Sequence, residues 1–503
     1  MKKSLFVSLF VLLPFLLFSE AYKITNVEYD IKGAGFKFMG KTREYPFKRN
    51  FPLDTKTTFE SREALDSYIE NYTKTLISSR YFDEVDVTYE ALPSETDDLY
   101  NVTVLISVQD SHHLIVMPIP KYSSNSGISL KLKGKDSNFF GSLNTMNVDM
   151  NLRYNDGTFK PGFNFNFDLP FSMGPFDAVF VNDYTIDYRI DDDSSKTGFE
   201  FDTKTGLSLS IPFNRVSLSL GLYQYVHRNL DYKYEDEEND DDIYLSEQFN
   251  IGLPVTIANL SNFTNITYSP SVNVSFNWDF DGINKEKDKS KELLGPDISF
   301  SHSISNGKVN WNDNLRKGYD LSLGNSYSYN FENKEFVPQV SFEGKFFWNY
   351  QANDEEIWNR FGINSRLYAF HYFDIPTNNS EHTYAVGERL RGILDDDIYS
   401  PTGIILNLDL PHSVFTAYFP TQILNFNFQF SPFFDMAVVF DSNNNRPSYN
   451  KTYYCGGFEF LVYPLKWSSF TVRASLGVDL SKNIFVEGLK NNKEIFIGLG
   501  IEY

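Results

Sequence analysis

Residues 146–154 read Met-Asn-Val-Asp-Met-Asn-Leu-Arg-Tyr, with an apolar residue at each odd place and a polar or charged one at each even place. The same beat returns at 163–169, at 216–222 and at 272–280, where the run is Val-Asn-Val-Ser-Phe-Asn-Trp-Asp-Phe, and it closes the chain at 495–503. A strand points successive side chains to opposite faces, so a period of two means one apolar face and one wet face. A tilted strand needs about 9–11 residues to cross a bilayer, and the longest of these runs reach that length. Dense turn chemistry separates them, as at Asn155-Asp156-Gly157 and Ser172-Met173-Gly174-Pro175. Single-chain barrels normally have an even strand count, so about 16 antiparallel strands are expected over 113–503. The segments 242–253 and 295–305 carry the weakest signal.

The chain ahead of residue 113 does not keep this rhythm. Met1-Lys2-Lys3, an apolar run over 5–18 and Ser19-Glu20-Ala21 make a secretory signal peptide over 1–21, with cleavage expected after Ala21. The apolar run is shorter than the ~20 residues that span a bilayer as a helix. No cysteine follows it, which excludes a lipoprotein anchor. Residues 22–29 (Tyr-Lys-Ile-Thr-Asn-Val-Glu-Tyr) then read as a strand. Over 59–79, Leu65, Tyr68, Ile69, Tyr72 and Leu76 recur at helical spacing, and Ser61 stands where an N-cap belongs. Residues 85–89 and 99–108 read as two strands parted by a turn-rich stretch. The prediction is a small α+β domain over 22–112, followed by an all-β transmembrane barrel.

Composition sharpens this picture. The chain holds 48 Phe and 32 Tyr, which suits a lipid-facing wall with aromatic girdles. A mean hydropathy of -0.35 does not oppose it, because only alternate residues of such a strand face lipid. The single cysteine, Cys455, cannot make an internal disulfide and reads as a packed small side chain. A formal charge of -21 argues against nucleic acid or anionic lipid as a partner. The acidity gathers at 231–242 and at Asp191-Asp192-Asp193; these runs, like the mixed-sign 284–292, read as solvated loops. A divalent-cation site is the alternative, though no ligand spacing is visible. There is no phosphate loop, His-Glu-x-x-His run or Gly-x-Ser-x-Gly elbow. No enzyme activity, cofactor or metal is therefore expected, and His112-His113 reads as a feature of the domain junction.

An ordered series of motifs then points to a family. Residues 76–87 (Leu-Ile-Ser-Ser-Arg-Tyr-Phe-Asp-Glu-Val-Asp-Val) place an aromatic after a helix end, leading into a strand. Asn138-Phe139-Phe140-Gly141 and Leu390-Arg391-Gly392-Ile393 come next in the series. Residues 406–411 (Leu-Asn-Leu-Asp-Leu-Pro) and Phe433-Phe434-Asp435-Met436-Ala437 follow on strands, and five candidate strands come after Arg391. In this order the chain resembles the Omp85 superfamily, the outer-membrane assembly barrels and protein translocators with periplasmic POTRA domains. The resemblance covers essentially all of the mature chain and includes a single POTRA-like domain. It departs at Ile393, where an aromatic is usual, and at Ala437, where glycine is. It implies a sixteen-stranded barrel with the long loop folded into the lumen and the turn 138–141 joining the first two barrel strands. It also implies a seam between strands near 127–133 and 495–503, and Gly498, Ile501 and Tyr503 fall at the spacing of the family's C-terminal recognition pattern.

A barrel lumen is polar but partly screened from water, so a charge inside it needs a partner. Arginine is always ionised and presents a planar fork that a carboxylate accepts at two points. Arg391 paired with Asp435 would pin the loop, and Gly392 would let the backbone turn closely beside it. Taken singly, Arg391 reads as an exposed loop cation and Asp435 as one more lumen-facing acid. The resemblance implies outer-membrane protein insertion or polypeptide translocation in a diderm bacterium. The periplasmic POTRA-like domain would capture clients by strand addition at the edge carrying Val85 and Val87, and the seam would insert them. Expected partners are unfolded outer-membrane or secreted polypeptides, outer-membrane lipid and periplasmic lipoproteins, with no nucleic acid. The alternative is a diffusion porin or surface adhesin with a periplasmic domain, which needs no Arg391–Asp435 pair.

Overall fold

The computed structural model describes residues 20–34, 40–94, 99–123, 127–155, 158–174, 176–190, 197–228, 230, 243–261, 264–279, 296–331, 334–351, 360–378, 381–393, 398–420, 425–443, 446–465, 471–482 and 492–499. The body of the signal-peptide segment and the charged runs at 191–193, 231–242 and 284–292 lie outside these residues.

The small domain runs β1 (Ala21–Lys32), α1 (Glu44–Asn50), β2 (Thr58–Phe59), α2 (Arg62–Ser78), β3 (Phe82–Pro93) and β4 (Leu99–Asp110). Its sheet has the order β2-β1-β4-β3, with β1 and β4 parallel and β3 on the edge. Helix α2 forms as its spacing predicts. Ser61 accepts from the Ala64 N–H at 3.2 Å, and Leu65, Tyr68, Ile69, Tyr72 and Leu76 are buried. They pack on the alternate residues Val102, Val104 and Ile106 of β4. Two elements were not expected from the sequence. Helix α1 is only seven residues long, too short to show a period, and its Pro46 reads as a breaker although the first turn of a helix tolerates it. Strand β2 is two residues long.

Twenty strand segments among the described residues close a barrel. Two wall strands are each split at a proline. Ile243–Gly252 and Val255–Ser261 keep one register against Val216–Arg228, with Ser219 opposite Gly252 and Val216 opposite Val255 across Pro254. Thr402–Asp409 and His412–Ala417 do the same against Arg360–Tyr372, across Pro411. Among the described residues the wall therefore has eighteen strands where about sixteen were expected, an even number, as antiparallel closure requires. The segments with the weakest sequence signal are strands, Ile243–Gly252 and Asp297–Asn312.

Wall strand one is β5 (Leu114–Ser123), and it pairs with Gly127–Asp136. This corrects the expected seam near 127–133. It also moves the turn 138–141 to the junction of the second and third wall strands, Gly127–Asp136 and Met146–Asn155. Pro118 and Pro120 hid β5 from a sequence reading, because proline argues against a strand except at an edge.

The wall is apolar outside and polar inside. Ile298, Phe300 and Ile304 are exposed on one strand, and Phe346, Trp348 and Tyr350 on another. Inside, Asn151 donates to Asn164 at 2.6 Å and Lys131 meets Asp149 at 2.8 Å. No described helix is long and apolar enough to cross a membrane.

The small domain docks at turns on one end of the barrel. Asn138 Nδ2 donates to Thr42 Oγ1 at 2.7 Å, and Tyr45 OH donates to Asp177 at 2.5 Å. Thr42 in turn donates twice to Asp110, at 2.7 and 2.8 Å. Burial pushes the Asp110 carboxyl above its ordinary range, against the pull of those two bonds. Arg80, in a left-handed conformation just past α2 (φ 61°), donates to the Asp313 carbonyl at 2.7 Å and lies 3.6 Å over the Trp311 ring.

Candidate functional site

The chain between Arg360–Tyr372 and Thr402–Asp409 folds into the lumen from the end opposite the small domain. Tyr384–Ala385 pairs with Tyr399–Ser400 as a short hairpin. Val386, Leu390, Ile393 and Ile398 are buried against inward-facing Phe370, Ile405, Ala437 and Cys455. Loop and wall thus share a small apolar core inside an otherwise polar lumen. Ile393 and Ala437, the two departures from the family pattern, both sit in it.

Arg391 lies beside this core and is 4% exposed, while Asp435 is 0% exposed. The guanidinium grips Asp435 at two points, Nε to Oδ2 at 2.9 Å and Nη2 to Oδ1 at 2.6 Å. The Arg391 backbone N–H donates to the same carboxylate at 3.0 Å. Nη1 reaches Asp409 at 2.5 Å and Glu459 at 3.2 Å, and the guanidinium carbon is 3.9 Å from the Phe433 ring centroid. A buried cation is held in low dielectric only when its donors are met, and here three carboxylates and an aromatic face surround it.

Gly392 continues the contact. Its φ is +95°, and its N–H donates to Glu494 at 3.0 Å. A Cβ on Gly392 would lie 2.5 Å from the Val478 nitrogen, and one on Gly477 would lie 2.7 Å from the Gly392 Cα. Backbone meets backbone there, and only glycine fits on either side. The dipeptide Arg391-Gly392 therefore touches all five wall strands that follow the loop, through Asp409, Asp435, Glu459, Gly477 and Glu494.

The sequence nominated Leu390, Arg391, Gly392, Ile393 and Asp435, and the fold brings these together. Asp409, Glu459, Glu494 and Gly477 were missed. Asp409 stands on the polar beat of the 406–411 run, so its lumenal face was readable, but nothing local said which lumenal acid would meet Arg391. Gly498 is buried in the last described strand, opposite Arg473. Ile501 and Tyr503 lie outside the described residues. Val85 and Val87 are on β3, half-buried against the small-domain core, and β3 is an edge of its sheet.

The last strand, Lys493–Leu499, closes the wall against β5. Among the described residues this junction comprises two register pairs, Phe496 with Ser123 and Ile497 with Tyr122. Pro118 and Pro120 give β5 two positions that cannot donate to any ladder. β5 and Gly127–Asp136 are in register over ten pairs.

His113 is buried, with Nδ1 2.6 Å from Asp136, and no group of three potential metal ligands occurs among the described residues. Cys455 is buried in Arg446–Pro464, with its sulfur 3.8 Å from Asp435.

No family model and no curated relative matches the chain by sequence. Its fold is similar to CdiB from Acinetobacter baumannii, with a TM-score of 0.51 at 12% identity, over 95% of this chain and 74% of that one. CdiB from Escherichia coli aligns at 11% identity and a TM-score of 0.47, over 94% of this chain and 76% of that one. BamA from Haemophilus ducreyi lacking POTRA domains 1–3 aligns at 12% identity and 0.40, over 94% and 84%. The likeness to the first of these is one of fold, a closed antiparallel barrel.

Proposed function

We propose that this chain is an outer-membrane barrel that inserts or translocates polypeptides, with its small domain acting as a single periplasmic POTRA. The observation that carries the reading is the contrast at the two ends of the barrel sequence. The five trailing strands are fastened from inside by one dipeptide, while the first strand carries Pro118 and Pro120, two positions that cannot donate to a ladder. A wall whose first strand lacks two donors beside a fastened sector is suited to part at that strand and present strand edges to a client. A diffusion porin needs no Arg391–Asp435 pair and would show a steady open conductance.

Client capture would begin on β3. As a sheet edge it offers main-chain groups to an extended segment, which gives affinity without demanding sequence. Val85 and Val87 face the small-domain core, so their part is to hold the edge flat rather than to touch the client. Clients would be unfolded outer-membrane or secreted polypeptides. Lipid would meet the exposed apolar face, and periplasmic lipoproteins are the partners open to the POTRA-like domain.

The deciding experiment is quantitative proteomics of the outer membrane after conditional depletion of the protein. A fall in other barrels supports assembly, and loss of one or two exported proteins supports dedicated translocation. An unchanged membrane with altered solute uptake overturns the proposal in favour of a porin.

A further inference from the structure

Beside the Arg391 network, between the lumenal loop and the wall, lies a cavity of about 50 Å³. One water needs roughly 10–15 Å³ on this measure, so the cavity takes several waters or one group of about four or five heavy atoms. Its walls come from Leu315–Asn330, Glu335–Gln351, Arg360–Tyr372, Thr402–Asp409 and the loop. Among the described residues the lining carries five cations, Arg316, Lys345, Arg366, Arg389 and Arg391, and one carboxylate, Asp409. In a chain with a formal charge of -21 this balance is the reverse of the average.

We infer that this cavity is a binding site for one small oxyanion, a phosphate or carboxylate group. Three features support the site, and none depends on how clients are handled. The first is the register. Lys345 stands directly opposite Arg366, and Arg366 directly opposite Asn407, on three neighbouring strands. Like charges so placed repel, and an anion between them removes the repulsion. Glu343 offsets it in part, accepting from Arg366 Nε at 2.7 Å, while Asp409 accepts from Arg391 Nη1 at 2.5 Å. The second is an unmet donor. Arg389 Nη1 is buried and makes no hydrogen bond, with Glu343 Oε1 3.5 Å away. Such a donor is costly to bury, and an oxygen in the cavity would meet it. The third is preorganisation. The Arg316 guanidinium lies 4.2 Å from the Phe347 ring centroid, and that of Arg389 lies 4.0 Å from the Tyr368 centroid. Stacking uses the face of a guanidinium and leaves its N–H edge for an acceptor. A fixed fork of this kind matches paired oxygens of a phosphate or carboxylate. Arg389 and Arg391 come from the loop and the other three cations from the wall, so the site is complete only with the loop folded in.

The test is isothermal titration calorimetry of the full chain in detergent with inorganic phosphate and, separately, with acetate, at an ionic strength held constant by sodium chloride. Saturable binding of at least one of the two ions, at a stoichiometry near one, is expected in the wild type. The tighter ion then names the group the site takes. Lys345→Gln should weaken that binding about tenfold or more, since it removes a charged donor. Lys345→Arg keeps the charge and should stay within about threefold of the wild type. Lys204→Gln removes a lumenal cation from the leading strands, beside Tyr223, and should leave the affinity unchanged. If neither ion binds saturably to the wild type, only water fills the cavity and the inference is overturned. Equal weakening in Lys345→Gln and Lys204→Gln also overturns it, because a general attraction to lumenal charge would then suffice. The wild-type titration decides the matter even where a variant fails to fold. No client enters the measurement, so its failure leaves the proposed function standing, and failure of that function leaves the site.

Discussion

Among the described residues thirteen wall strands precede the lumenal loop and five follow it, and the two sectors treat their inner faces differently. In the trailing five, Asn427, Gln429, Asp435, Glu459, Arg473 and Glu494 are all buried, and an apolar cluster shared with the loop lies among them. In the leading thirteen, Asp149, Asn151, Asn182 and Asp187 are buried as well, but inward residues such as Asn147, Asn164 and Lys204 stay half-exposed, with contacts to neighbouring strands. The wall is built on one alternating plan throughout. Where the loop fills the lumen, the inner face becomes a protein interior, and each charge there must find its partner. Where the lumen is open, water does that work and a lost pair matters little.

The largest effect should come from Arg391→Ala. It strands Asp409, Asp435 and Glu459 together in a buried site, and breaking such a network costs about 3–5 kcal/mol. Denaturant unfolding in detergent should report that loss. The loop 384–400 should become open to protease, and a steady conductance should appear. Wild-type stability would show that the two sectors do not differ. Arg391→Lys should recover part of the loss, because a point charge cannot replace the fork.

Glycine substitutions sharpen the contrast by sterics alone. Gly477→Ala would place a Cβ 2.7 Å from Gly392, and overpacking of this kind costs about 1–3 kcal/mol. Gly324→Ala, in the leading sector, would meet nothing nearer than 3.6 Å and should leave the unfolding midpoint where it is. Equal shifts in both variants would break the comparison.

Arg80→Ala tests the docking of the small domain on the leading sector. It removes the bonds to the Asp313 carbonyl and Asn314 Oδ1, at 2.7 and 3.1 Å, and the stacking on Trp311. A loss of about 1–2 kcal/mol in docking is expected, seen as faster proteolytic release of the small domain with the barrel itself unchanged. The smallest effect should follow Asn151→Ala, which removes one amide pair from the leading sector. About 0.5–1.5 kcal/mol is the scale for one such bond, and a larger loss would mean that the leading lumen depends on its polar pairs as heavily as the trailing one does.

The legible parts of this molecule were those with a local cause. The spacing of Leu65, Tyr68, Ile69, Tyr72 and Leu76 was enough to predict α2, and the Ser61 cap marked its start. Alternation marked most wall strands. It failed at β5, where Pro118 and Pro120 masked a genuine strand, and at α1, whose seven residues are too few for a period. The Arg391–Asp435 contact was nominated from a motif resemblance, and the two groups do meet. Glu459, Glu494 and Gly477 could not be nominated that way.

By itself the sequence determined the alternating wall, the separate small domain and the face on which each polar residue lies, because a period of two is written in neighbouring residues. Only the tertiary structure decided how many strands close the wall among the described residues and which carboxylates surround Arg391. Alternation assigns a side chain to the inside or the outside. Its height and its neighbours around the ring depend on register and on the path of a loop crossing the lumen, and those are set by contacts between residues such as Gly392 and Glu494, which lie far apart in the chain.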